Sequence, residues 1–240
     1  MDAKGKIALV TGATKGIGYE TARALGALGA TVLVGARDAE RGAAAAAALR
    51  ERGADARALR LDVTDPATAE AAAHLVQERH GHLDILVNNA GINVEWPARQ
   101  PSEATLHDLR TTMETNVFGV STVTNALLPL LRAAAAGRIV NVSSEMGVPA
   151  WLSGTQMPAM TAYSLSKAAL NMLTVLYANE LRDSSVKVNA CSPGFVVTDI
   201  NRGAGVLTAQ EGARIVVDLA TLDEDGPAGV FLNDAGPVSW

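Results

Sequence analysis

Short apolar runs, mostly β-branched, recur along the chain and alternate with longer alanine-rich stretches. The runs at 7–11, 31–35, 56–61, 83–88, 138–143 and 186–192 predict strands, and the stretches near 17–28, 39–52, 66–80, 103–135 and 162–182 predict helices. Most of these strands are apolar at successive positions, not only at alternate ones. That pattern suits a parallel sheet covered by helices on both faces. Strand–helix alternation implies right-handed βαβ units and a doubly wound α/β sheet. No Pro/Gly/Ser linker or shift in composition divides the chain, so residues 1–240 read as one domain. The alanine run at 43–48 is low in complexity and reads as helix, since alanine is the best helix former.

Composition narrows the function classes. With 48% hydrophobic residues over 240 positions, the chain can bury a large core. Its net charge is −5 and it has no basic block, which argues against nucleic acid and anionic membrane surfaces as partners. No apolar run reaches the roughly 18 residues of a membrane span. The start, Met1 to Lys6, runs straight into the first strand without a signal-peptide apolar region. A single cysteine, Cys191, excludes an internal disulfide and fits a reducing compartment. These features predict a cytoplasmic protein.

Candidate chemistry begins after the first strand, at Thr11-Gly12-Ala13-Thr14-Lys15-Gly16-Ile17-Gly18. Glycines at Gly12, Gly16 and Gly18 let the backbone turn sharply and approach a pyrophosphate, and the following helix offers free N–H groups to an anion. Such a turn can also be a tight loop. Its position between strand and helix favours dinucleotide binding. The second strand runs into Ala36-Arg37-Asp38, where an NAD site usually carries an acid for the ribose 2′-hydroxyl. Arg37, Arg41 and Lys15 instead suit a 2′-phosphate, which favours NADPH/NADP+ over NAD(H). Asp38 stands against this, because it can pair with Arg41.

Tyr163 and Lys167 lie four apart in a predicted helix and so share a face. A phenol has a pKa of about 10, so acid–base work near neutrality needs it lowered by about three units, or roughly 4 kcal/mol. A nearby cation can supply much of that. Alone, the pair has the bland alternative of a solvated lysine beside a packed tyrosine.

Taken together, Thr11-Gly12-x-x-x-Gly16-Ile17-Gly18, Asn88-Asn89-Ala90-Gly91, Asn116, Val142-Ser143-Ser144, Tyr163-x-x-x-Lys167 and Ser192-Pro193-Gly194 make the chain resemble the short-chain dehydrogenases/reductases, over nearly its whole length. It is most similar to the NADPH-dependent carbonyl reductases of that family. Ala36-Arg37-Asp38, the run from Asn189 to Val196, Gly226-Pro227-x-Gly229-x-Phe231 and Val238-Ser239-Trp240 carry the closer likeness. The resemblance implies a Rossmann-type fold and a tetrad of Asn116, Ser144, Tyr163 and Lys167. In it, Tyr163 protonates the carbonyl oxygen, Lys167 lowers the phenol pKa and holds the nicotinamide ribose, Ser144 orients the substrate, and Asn116 supports a water chain to Lys167. It also implies contacts to cofactor from Asp62 and Val63, from Asn89, Ala90 and Gly91, and from Pro193, Gly194, Val196 and Thr198, with Val196 offering backbone groups to the carboxamide. Asn88 and Asn89 have an alternative role as ties across the sheet. Asp62 has one as a helix cap, for which Asp65 before Pro66 is better placed.

By the same resemblance, a small insertion lies near 149–160. It leaves monomer, dimer and tetramer open, because the longer relatives use an insertion here to cover an oligomer surface. The insertion is expected to wall a substrate pocket through Trp151, with Trp96, Met146 and Phe195 opposite; a loop packed on the core is the alternative. His80-Gly81-His82 reads as an exposed turn with no third ligand, so no metal is assigned, and Cys191 reads as a small buried strand residue. The expected reaction is NADPH-dependent reduction of a small aldehyde, ketone or quinone. Alternatives are a reductase or alcohol dehydrogenase dedicated to one biosynthetic substrate, such as a 3-oxoacyl or polyketide carbonyl, and a non-catalytic NADP(H) sensor.

Overall fold

The computed structural model describes residues 2–156 and 160–240. Eight strands form one sheet in the order β3-β2-β1-β4-β5-β6-β7-β8. They are β1 (Ile7–Thr11), β2 (Thr31–Ala36), β3 (Asp55–Arg60), β4 (Ile85–Asn88), β5 (Arg138–Val142), β6 (Lys187–Cys191), β7 (Phe231–Asn233) and β8 (Gly236–Pro237). All neighbours pair parallel except β8, which returns antiparallel on β7. The chain winds outward from β1 to the β3 edge, then crosses back to lay β4 on the other side of β1. That reversal opens a crevice at the carboxyl ends of β1 and β4.

Side-chain alternation sorts the core into two halves. Ala8, Val10, Val32, Val34, Ile85 and Val87 point to one face, where they meet α1 (Gly16–Ala27), α2 (Ala39–Glu51) and α8 (Ala209–Ala220). Ile7, Leu9, Leu33, Leu86 and Ile139 point to the other, against α3 (Pro66–His80), α5 (Gly119–Ala133) and α7 (Thr161–Glu180). Local signals set several helix ends. Asp38 accepts from the Arg41 N–H at 2.9 Å to cap α2. Asp65 caps α3 ahead of Pro66, and Gly81 stops it in the left-handed region at φ 74°.

The long helix predicted over 103–135 is interrupted. It begins as α4 (Leu106–Met113), passes through a π-helical turn at Glu114–Phe118, and continues as α5. In that turn the Gly119 N–H bonds the Glu114 carbonyl five residues back. Two further elements lie beyond the predicted set. One is α8, whose start carries a Thr208–Glu211 capping box; the other is the β7–β8 pair. The predicted insertion forms the short helix α6 (Pro149–Ser153), and Met157, Pro158 and Ala159 lie outside the described residues. Among the described residues, no helix is long and apolar enough to cross a membrane.

Candidate active site

A cleft of about 960 Å³ runs along the carboxyl ends of the strands. Its first wall is the glycine turn, where Gly12 and Gly16 have φ of 64° and 58°. A Cβ on Gly12 would lie 3.0 Å from Ala90 Cα, and one on Gly18 would lie 2.4 Å from Asn89 Nδ2 and 2.7 Å from the Gly12 carbonyl. No side chain larger than hydrogen fits this cradle at Gly18. Lys15 precedes α1 without capping it, so no side chain competes for the first N–H groups of the helix. An anion is the partner that such an end favours. The turn is tied to β4: the Thr11 hydroxyl accepts from the N–H groups of Asn89 and Ala90, each at 3.0 Å, and Asn89 Nδ2 donates to the Thr11 carbonyl at 2.8 Å. Asn88 bonds Asn141 and Thr124, at 2.9 and 3.1 Å. Both asparagines therefore act as ties between elements, and Asn89 lines the cleft as well.

Beside the turn, Arg37 lines the cleft, is exposed, and has no acidic partner among the described residues. Its neighbours are engaged. Arg41 lies 3.9 Å from the Asp38 carboxyl, and Lys15 pairs with Asp199 on the facing loop. Asp62 and Val63 line the cleft beyond them. The Asp62 carboxyl accepts from the N–H and hydroxyl of Thr64, at 3.0 and 2.8 Å, and the helix cap is left to Asp65.

At the other end stand Ser144, Tyr163 and Lys167. Ser144 and Tyr163 line the cleft together, and the Ser144 hydroxyl accepts the Met146 N–H at 3.2 Å. Ser143 borders the cleft as well, but its hydroxyl is taken by Asn171 Oδ1 at 2.5 Å, which leaves Ser144 as the serine available beside Tyr163. The turn after it packs directly on α7, because a Cβ on Gly147 would fall 2.5 Å from the Lys167 carbonyl carbon. Lys167 is 94% buried, and its ammonium donates to the Val142 carbonyl at 2.8 Å and lies 5.5 Å from the centre of the Tyr163 ring. Burial pulls its pKa down to about 8. Burial pushes the phenol up to about 12, with the neighbouring Ser144 hydroxyl opposing this. The expected lowering of the phenol pKa by Lys167 is therefore not a property of the protein chain alone. Desolvation is the larger influence on the phenol here.

Asn116 sits in the π-helical turn, a local register shift that often marks functional positions. Its Nδ2 donates to the Ile92 carbonyl at 2.9 Å and to Ser166 Oγ at 3.0 Å, and its Oδ1 accepts the Ile92 N–H at 2.9 Å. The side chain thus clamps the loop after β4 to α7 and stands behind the cleft wall.

Pro193, Gly194, Val196 and Thr198 line the cleft, and Gly194 has φ of 80°. Val196 keeps its backbone within the protein, its N–H on the Gly194 carbonyl at 3.1 Å and its carbonyl on Asn201 Nδ2 at 2.8 Å. Trp96, Met146 and Phe195 line the cleft, joined by Met160 from the predicted insertion. Trp151 does not. It packs on the small cluster of Val148, Ala190 and Phe231, because the α6 turn carries it away from the opening. Asn93 and Glu95, on the loop after β4, bond to Met160 and Tyr163 and have no signal in the sequence. Among the described residues, no group of three or more His, Cys, Asp or Glu is placed to hold a metal ion.

A family model for short chain dehydrogenase matches residues 6–205. The chain is 32% identical to a (+)-neomenthol dehydrogenase of Capsicum annuum, over 95% of each protein. It is 31% identical to NADPH carbonyl reductase 1 of Sus scrofa, over 100% of this chain and 96% of the relative. The solved structure of an NADPH-bound carbonyl reductase from chicken fatty liver superposes with a TM-score of 0.87 at 32% identity, covering 99% of both chains.

Proposed function

The chain belongs to the short-chain dehydrogenase family of oxidoreductases, and we propose that it uses NADPH to reduce the carbonyl group of an aldehyde, ketone or quinone, with Tyr163 giving the proton. The convergence of Ser144, Tyr163 and Lys167 at the far end of a cleft that begins with the glycine turn carries this reading. The same reading takes residues 1–240 as one NADP(H)-binding domain.

NADPH, when bound, supplies the hydride. The N–H groups at the start of α1 and the cradle at Gly12 and Gly18 suit its pyrophosphate. Arg37 suits a 2′-phosphate, assisted by Arg41 and by Lys15 in exchange for Asp199. The pig and chicken relatives are both named for NADPH.

A phenol with its pKa near 12 is a fully protonated donor at neutral pH. Ser144 holds a substrate oxygen within reach of that phenol, and proton transfer to the oxygen stabilises the developing alkoxide. Lys167 stabilises the phenolate that remains. Trp96, Met146, Met160 and Phe195 provide an apolar wall that excludes water from the transfer.

The test is steady-state oxidation of NADPH and of NADH against a panel of aldehydes, ketones and quinones, with secondary alcohols and NADP+ in the reverse direction. Tyr163→Phe is expected to abolish turnover and to keep NADPH binding, read by fluorescence. Turnover retained by that variant would remove Tyr163 from its role, and equal rates with NADH would remove Arg37 from its own.

A further inference from the structure

Helix α7 carries both Tyr163 and Lys167, and it is the longest helix described, yet its own sequence does not cap it. The N-cap position is Met160, which makes no side-chain cap bond, and the first turn holds no acidic residue. Helices α2, α3, α4 and α8 are capped by Asp38, Asp65, Thr105 and Thr208 from their own sequence. The end of α1 is also uncapped, but it opens on the cleft, where an anion suits it. The end of α7 instead abuts the loop after β4.

That loop supplies the missing group. Glu95 is 98% buried, and its Oε2 accepts the Tyr163 backbone N–H at 3.1 Å from a position 68 residues earlier in the chain. Tyr163 is the third residue of the helix, and its N–H is the one an ordinary N-cap side chain would take. Glu95 is itself held. Its N–H donates to Asn93 Oδ1 at 3.0 Å, and Asn93 Nδ2 contacts Met160 Sδ at 3.1 Å. Asn116 clamps Ile92 at the root of the same loop. A buried carboxyl is expensive unless bonded, so its retention here calls for a local reason.

We propose that Glu95 is a positioning residue for the reaction. It caps α7 from outside the helix and fixes the backbone of Tyr163, so that the phenol stays in line with Ser144 and with the wall residue Trp96 next to Glu95. This rests on the reading of Tyr163 as proton donor. Losing the bond lets the first turn of α7 fray, and displacement of about 1 Å at a reacting group costs on the order of 100-fold in rate.

The experiment compares Glu95→Met, similar in size but without an acceptor, with Glu95→Gln, which keeps one. Glu95→Met is expected to lower kcat about 100-fold, to leave the Kd for NADPH within about twofold, and to shift the alkaline limb of the pH profile; Glu95→Gln is expected to recover most of kcat. A folded Glu95→Met with wild-type kcat and pH profile would overturn the proposal, and so would Glu95→Gln as impaired as Glu95→Met. Hydrogen exchange on the wild-type protein tests it without a variant. The Tyr163 amide is expected to exchange as slowly as mid-helix amides, and exchange as fast as an uncapped first-turn amide would overturn it. Tyr163→Phe in parallel separates the two readings, since turnover retained there removes the donor role whatever Glu95 does.

Discussion

The Lys167 ammonium lies 5.5 Å from the centre of the Tyr163 ring and gives its hydrogen bond to the Val142 carbonyl, not to the phenol. Both groups are buried, and burial moves them in opposite directions, the amine down to about 8 and the phenol up to about 12. Each is thereby favoured in its neutral form; at neutral pH the phenol is neutral in any case, and only the charge on Lys167 is held at a cost in stability.

Lys167→Met is therefore expected to stabilise the protein while abolishing turnover. A lysine whose pKa falls from 10.5 to about 8 on folding opposes folding at neutral pH by about 3 kcal/mol. Because the folded value is lowered, this deficit is absent above pH 10.5 and grows as pH falls towards 8. Urea unfolding at pH 7 and at pH 10.5 reads it: the variant should gain stability over wild type at pH 7, and the gain should vanish at pH 10.5.

The same titration should appear in the kinetics. As pH rises through about 8, Lys167 loses its charge, so kcat/KM for carbonyl reduction is expected to decline with one limb near that value. A profile flat to pH 10 would exclude Lys167 as the group that stabilises the phenolate.

Arg37 has no acidic partner among the described residues, so its guanidinium is free for a phosphate. Arg37→Ser is expected to raise the KM for NADPH by about 10- to 100-fold, in line with a charge-assisted bidentate contact, and to leave the KM for NADH unchanged. Parallel titrations with the two cofactors decide it.

Gly18→Ala places a Cβ 2.4 Å from Asn89 Nδ2 and 2.7 Å from the Gly12 carbonyl. Neither neighbour is free to move, because Asn89 is bonded to the Thr11 carbonyl. The variant should lose NADPH binding by at least about tenfold, measured by fluorescence titration, and should unfold at lower urea.

The two tryptophans near the site should separate cleanly. Trp96→Ala is expected to change KM for carbonyl substrates, since Trp96 lines the cleft. Trp151→Ala should leave KM unaltered and lower stability by about 2 kcal/mol, since Trp151 packs on Phe231 instead. Substrate kinetics and urea unfolding of both variants check this.

The alternation of apolar runs and helical stretches determined a doubly wound sheet, because periods of two and 3.6 are local properties of the chain. The glycine turn and the i, i+4 spacing of Tyr163 and Lys167 were legible for the same reason: each device is built within a few consecutive residues. Helix α8 was not among the predicted helices, although its Thr208–Glu211 capping box is a local device of the same kind. What tertiary structure decided is how groups far apart in sequence meet. It placed Trp96 on the cleft and turned Trp151 away. It spent the Asn116 amide on Ile92 and Ser166, and it set Lys167 behind the Tyr163 ring, where burial outweighs its charge. It also brought Glu95 to the start of α7 across 68 residues. No local pattern records such a contact, because hydrogen bonds and desolvation depend on distance in space, and the chain order of these residues is silent on it.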